Sequence, residues 1–436
     1  MMPHRFPLAG AAPKTTRFSL IHYEHYQLPN GLTVLLYPQP QRTVASVQVL
    51  YRVGSRNDPP TRTGLAHLFE HLMFGGSENV PNFDDALQLA GGENNALTGA
   101  DYTLYYDTVP AANVATALFL EADRMRAVNL NARALANEKK VVVEEFKETC
   151  LEEPYGDLYH HLGELIYSTH PYRYPVIGRA FADIENVTLE EAREFYLRYY
   201  RPDNATLVVA GGYDPADIRR LIEQYFGDIP PAPPELPRPT LPEEPPQEGF
   251  RQKIVRGDVP SPVIYLNYRT PGRFHPDFAP LDVLVFLLGN GRSSYLHKHL
   301  VRDGDLFAEL SAGHNDTLDS GAIVIEARPA EEADWEEARA ALYATIERFA
   351  REGITEAQLE KVINRLEHGN LYKRLSVGGI AGELAFFGSA GQPERVNNVL
   401  AEYRAVTVAD VERVIRTYLR PEVLSELQYL VEEEEE

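Results

Sequence analysis

From Leu65 to Met73 the chain places apolar residues at Leu65, Leu68, Phe69, Leu72 and Met73, which is one face of a helix. His67, Glu70 and His71 fall on the opposite face. Helical periodicity recurs over 116–125 and 189–200. Leu32–Tyr37, Ala45–Val53 and Asp101–Val109 instead carry β-branched and aromatic residues bounded by Gly, Pro or Asn, which predicts strands. The mixture reads as α+β, with helices packed on mostly antiparallel sheet.

Nine prolines lie between Pro230 and Pro246. Such a segment holds neither a helix nor a central strand, and it predicts a semi-rigid linker. The flanking halves echo each other. Thr407 follows Thr188 by 219 residues and Arg420 follows Arg201 by 219, each pair flanking a helical stretch. Tyr51-Arg52 is likewise echoed by Tyr268-Arg269. We expect a duplicated domain: 1–228 with the histidine motif, 229–250 as the linker, and 251–436 as a copy without it.

At 436 residues the chain suits two such units. Its 64 acidic against 42 basic residues leave a net charge of −22, with no basic surplus for a nucleic-acid backbone. The single cysteine, Cys150, excludes an internal disulfide. No apolar run reaches bilayer length, and Met1–Ser19 lacks the apolar core of a secretory signal, so the expected compartment is the cytoplasm. The Glu432–Glu436 run reads as a solvated tail.

Two histidines at i and i+4 can aim ring nitrogens at one ion, and a carboxylate between them can take a proton from water. An amphipathic helix with a polar outer face would carry the same string. A catalytic zinc needs a third protein ligand. Asn137–Glu148 offers several carboxylates. Glu138 and Glu145 share a helix face, but spacing alone does not choose among Glu144, Glu145 and Glu148.

The His67-x-x-Glu70-His71 string resembles the inverted motif of the pitrilysin/insulinase family of zinc peptidases, half-length members especially. That resemblance implies a third ligand some seventy-odd residues on, with another glutamate seven residues before it. Glu145 and Glu138 stand at those places. It implies one Zn2+ per chain held by His67, His71 and Glu145, Glu70 as general base, and Glu138 as an outer partner of the ligands. Glu93–Thr98 resembles the family's strand beside the metal, implying that Asn95 and Ala96 meet the substrate backbone; read locally, the segment is a turn preceding a strand.

The implied activity is endopeptidase cleavage of peptides or unfolded segments. The resemblance also implies an arginine and, seven residues later, a tyrosine in the second half. Val301 and Ala308 stand at those positions, and neither side chain donates a hydrogen bond. Arg365 and Tyr372 have the right separation but lie downstream. Leu284–Gly291 replaces the metal motif in the second half, and Gly289-Asn290-Gly291-Arg292 lacks the ending of a phosphate loop. The expected assembly is therefore a heterodimer with a homologous subunit that lacks the zinc motif and supplies the pair. The alternatives are a non-catalytic core subunit of the same fold and a zinc-stabilised peptide-binding protein.

Overall fold

In the computed structural model, which describes residues 20–432, alternating and continuous apolar runs become two sheets. Met1–Ser19 and the last four glutamates of the acidic run lie outside the described residues. The first sheet contains β1 (Glu24–Gln27), β2 (Thr33–Pro38), β3 (Val44–Tyr51), β4 (Glu93–Thr98), β5 (Thr103–Pro110) and β6 (Ala205–Gly211). The second contains β7 (Arg251–Gly257), β8 (Val263–Pro271), β9 (Phe307–Asn315), β10 (Ser320–Pro329) and β11 (Leu424–Val431).

The strand orders are β1-β2-β6-β3-β5-β4 and β7-β11-β8-β10-β9. With β1 set aside, the two orders match strand for strand. Each sheet has one parallel pair, β2 with β6 and β7 with β11, and is otherwise antiparallel. The α+β duplication read from the sequence is thus present in the topology. β6 is buried throughout and β3 from Ala45 onward, as expected of central strands covered on both faces. β4 and β9 form matching sheet edges.

The halves exchange helices. Leu158–Ile166, from the first half, packs Leu158, Leu162 and Leu165 in one cluster with Val263, Tyr265 and Leu427 of the second sheet. Val377–Ser389, from the second half, packs Ile380, Ala381 and Leu384 in one cluster with Leu35, Leu50 and Val208 of the first. These helices start 219 residues apart, the separation of the sequence echoes. Close approach is built in: a Cβ on Gly388 would stand 2.4 Å from Leu35 Cδ1.

Residues 230–250 hold no helix or strand, yet they are pinned. The Ala232 N–H donates to Asp203 Oδ1 at 2.8 Å. Glu244 accepts from the backbone N–H groups of Ser168, Thr169 and His170, each at 2.8 Å, and pairs with Arg269 at 3.0 Å. Among the described residues no helix is long and apolar enough to cross a membrane.

Candidate metal centre

The motif helix runs Leu65–Leu72 and buries Leu65, Ala66, Leu68, Phe69 and Leu72. Phe69 anchors it, its ring 5.2 Å from those of Phe195 and Tyr200. The helix begins at Gly64, whose φ of 88° is left-handed and whose added Cβ would meet Ile177 O at 2.6 Å. Only glycine adopts that geometry freely. No local side chain caps the helix. Asp58, from the preceding loop, accepts from Gly64 N at 2.7 Å and Ala66 N at 2.8 Å. Burial pushes its carboxyl up to about 8 against those N–H groups. This cap was not anticipated from sequence, because it reaches the helix across a six-residue loop rather than from the adjoining position.

The Ala132–Phe146 helix packs across the motif helix. Asn131 caps it, accepting from Arg133 N and Ala134 N. Leu135, Val142, Val143 and Phe146 are buried, which turns Glu138 and Glu145 toward the histidines. Glu145 Oε1 lies 3.6 Å from His67 Nε2, and its Oε2 lies 3.3 Å from His71 Nε2. Glu144 points away to pair with Lys147, and Glu148 is exposed. Geometry thus singles out Glu145 from the carboxylates that spacing left open.

The electrostatics follow from this triad. The carboxylate of Glu145 raises His71, and His71 in turn lowers Glu145. Burial lowers His67, opposed by Glu145. Partial burial raises Glu138, opposed by the charge of His71. Among the described residues, His67 Nδ1 is buried without a hydrogen-bond partner.

Two imidazoles and one carboxylate, with ligand atoms all within 4.8 Å of one another, could hold a metal ion. Zinc bonds of about 2.0–2.1 Å in a tetrahedron put neighbouring ligand atoms roughly 3.3 Å apart, which the two carboxylate–imidazole distances approach. A His2Glu donor set is one zinc accepts in hydrolytic sites. The residues fit the ion.

Glu70 is held apart from that triad. Its Oε2 accepts a hydrogen bond from Thr98 Oγ1 at 2.5 Å. Thr98 ends β4, an edge strand paired only with β5 among the described residues. The local reading of a turn at Asn94-Asn95 does not hold, since both lie within β4. Asn94 instead donates to Asp84, and Asn95 Oδ1 accepts from Ala96 N, so the amide chemistry that suggests a turn is used inside a strand. Asn95 is exposed and Ala96 buried, one on each face of that edge. Thr98 was also missed; no motif marks a hydroxyl whose partner is 28 residues upstream.

In the second half, Val301 lies partly buried in the His297–Arg302 turn and Ala308 is exposed on β9. Arg365 donates to Asn290 O at 2.8 Å and stacks 5.1 Å from the Phe286 ring. Tyr372 is 70% exposed. Gly289 terminates the Phe278–Leu288 helix, so Gly289–Arg292 is a helix-end turn.

Residues 33–179 match the family profile described as Insulinase (Peptidase family M16), and residues 186–366 match the one described as Peptidase M16 inactive domain. The zinc protease PqqE of Helicobacter pylori is 31% identical over 404 residues, covering 91% of this chain and 90% of that protein. The mitochondrial-processing peptidase subunit beta of Lentinula edodes is 27% identical over 90% of this chain and 86% of its own length. The crystal structure of a protease from Helicobacter pylori superposes with a TM-score of 0.89 at 29% identity, covering 94% of this chain and all of that one. Pitrilysin shares the fold at a TM-score of 0.76 and 20% identity, with 95% of this chain covering 45% of pitrilysin. With two profiles in tandem and a curated relative similar across nine tenths of both chains, the chain belongs to the insulinase family of peptidases, family M16.

Proposed function

We propose that this chain is a zinc-dependent endopeptidase acting on peptides or unfolded segments, with His67, His71 and Glu145 as metal ligands and Glu70 as general base. The observation that carries this reading is the convergence of two imidazoles from one helix and a carboxylate from another, with Glu70 on the histidines' helix and held by Thr98.

When bound, zinc would polarise a peptide carbonyl and acidify water at its open position. Glu70 accepts the proton of the attacking water at a carboxylate oxygen and passes it to the leaving amide nitrogen. The Thr98 hydroxyl donates to Glu70 Oε2, orienting the carboxylate. Glu138, on the helix that carries Glu145 and within reach of the His71 charge, steadies that ligand. The exposed edge of β4 around Asn95 and Ala96 offers backbone groups to an extended substrate, which adds as a further strand.

The chain works as one half of a heterodimer in this reading. It is about half the length of pitrilysin, and one similar protein is named as a subunit. Val301 and Ala308 offer no donor for the developing oxyanion, and such donors are often worth about 3 kcal/mol. A homologous subunit would supply them. The same absence is what favours the second reading, a zinc-stabilised subunit that binds peptides without cutting them. An assay on an unfolded, internally quenched peptide separates the two. Chelator-sensitive cleavage that rises when the partner is added supports the heterodimeric enzyme. Binding without cleavage under all these conditions supports the second reading.

A further inference from the structure

The β4–β5 turn, Gly99–Tyr102, sits directly after Thr98 and is clamped from both halves of the chain. Its carbonyls at Gly99 and Ala100 accept from Ser55 N at 3.1 Å and Arg56 N at 3.0 Å. Asp101 is buried at 6% exposure, and three groups converge on its carboxylate. Arg56 Nη1 lies 2.8 Å from Oδ1, the Tyr172 hydroxyl donates to the same oxygen, and Leu318 N donates to Oδ2 at 2.9 Å.

Leu318 and Asp319 belong to the β9–β10 turn of the second half. Asp319 Oδ2 pairs with the same Arg56 at 3.0 Å and with His170 Nε2 at 3.3 Å. Its own N–H donates to Tyr172 OH at 3.2 Å. His170 is in turn fixed through its backbone N–H by Glu244. Hydrogen bonds therefore run without a break from the proline-rich segment, through the second half, into the turn that ends β4.

Such a network costs desolvation of several charged groups, which stability alone rarely repays. Its placement suggests another use. The last residue before the clamped turn is the one whose hydroxyl holds Glu70. We propose that Asp101, Arg56 and Asp319 are positioning residues: a latch by which the second half fixes the end of β4 and, through Thr98, the Glu70 carboxylate. This rests on the reading of Glu70 as general base. It gives the second half, which has lost the metal motif, a part in catalysis by this chain. A latch of this kind acts on the rate of the bound complex and on the register of the edge strand, without touching substrate or metal.

Asp101→Ala removes the buried carboxylate on which Arg56, Tyr172 and Leu318 N converge and can unfold the junction, so the test uses Asp319, whose side chain is 46% exposed. In the zinc-loaded full chain, with its partner where one is needed, Asp319→Ala should lower kcat on a quenched unfolded peptide about tenfold at unchanged zinc content and Tm. Asp319→Asn, which keeps an oxygen acceptor, should recover most of that loss. Amides of residues 93–102 should exchange faster in Asp319→Ala, while those of β6 stay protected.

The decisive arm is a double-mutant cycle with Thr98→Val. If the latch acts through Thr98, the two losses are strongly less than additive. Additive losses, or Asp319→Ala with unchanged exchange at 93–102, overturn the proposal. An inactive parent chain whose exchange still responds to Asp319→Ala would overturn the peptidase reading and leave the mechanical latch standing.

Discussion

The two halves place equivalent helices after corresponding strands of their two matched sheets and use them differently. In the first, Leu65–Leu72 buries one face and leaves His67, Glu70 and His71 on the other. In the second, Phe278–Leu288 buries Phe278, Leu281, Val283, Leu284, Val285, Leu287 and Leu288, apolar nearly all round. A helix with one polar face can present chemistry, and one without it can only be packed over. The helices that cross them differ in the same way. Ala132–Phe146 turns Glu145 toward the histidines, whereas Glu356–Lys373 uses Arg365 to tie down Asn290. Of the two matched positions, one holds a donor set that could take a metal ion and the other is packed as scaffold.

The largest expected effect comes from erasing what distinguishes the first half. His67→Ala or Glu145→Gln should remove one of three ligands and lower zinc occupancy well below one per chain, read by elemental analysis. Cleavage should fall with it by roughly three orders of magnitude or more. Full zinc in Glu145→Gln would move the third ligand elsewhere. Glu138→Ala should be milder, about ten- to a hundredfold in metal affinity or kcat, as befits a residue acting through His71.

Exchanged helices make the comparison testable in the scaffold as well. Gly388→Ala places a methyl 2.4 Å from Leu35 Cδ1. It should cost about 1–3 kcal/mol in urea unfolding and loosen the first sheet although the substitution lies in the second half.

Glu244 yields a pH signature. Burial alone would raise it, but N–H bonds from His170, Ser168 and Thr169 outweigh that and hold it at about 2. A depressed carboxylate stabilises fully above its ordinary value of 4.5, and the contribution is lost as pH falls toward about 2. At roughly 1.4 kcal/mol per unit, the drop from 4.5 to about 2 sets an upper bound of about 3.5 kcal/mol. Glu244→Gln should therefore lower stability at pH 7 and flatten the acid limb between those values. An unchanged limb would show that the clasp is not an anionic one.

How far the sequence discloses this molecule depends on the range of the interaction. The motif helix was legible because Leu65, Leu68, Phe69 and Leu72 follow helical period and leave the histidines opposite. The repeat was legible from paired landmarks at a constant separation, and the matched strand orders follow it. Glu145 needed either the family resemblance or the structure, because Glu144 and Glu148 differ from it only in the direction each faces. The strand at Asn94-Asn95 ran against local propensity, and pairing with Asp107 and Tyr106 overrode it. Asp58, Thr98 and the Asp101–Arg56–Asp319 cluster were invisible because each acts on a residue brought near only by folding. The exchange of helices was hidden for the same reason: an apolar face does not say which sheet it will cover.

Glu70→Gln, assayed at full zinc occupancy, tests the peptidase reading most directly. The substitution keeps size and the hydrogen bond from Thr98 but removes the proton acceptor. We predict unchanged zinc content and Tm, with peptide cleavage reduced by at least about a thousandfold. Cleavage at the parent rate by a zinc-loaded Glu70→Gln chain would contradict it, leaving Glu70 as no more than the polar face of a helix.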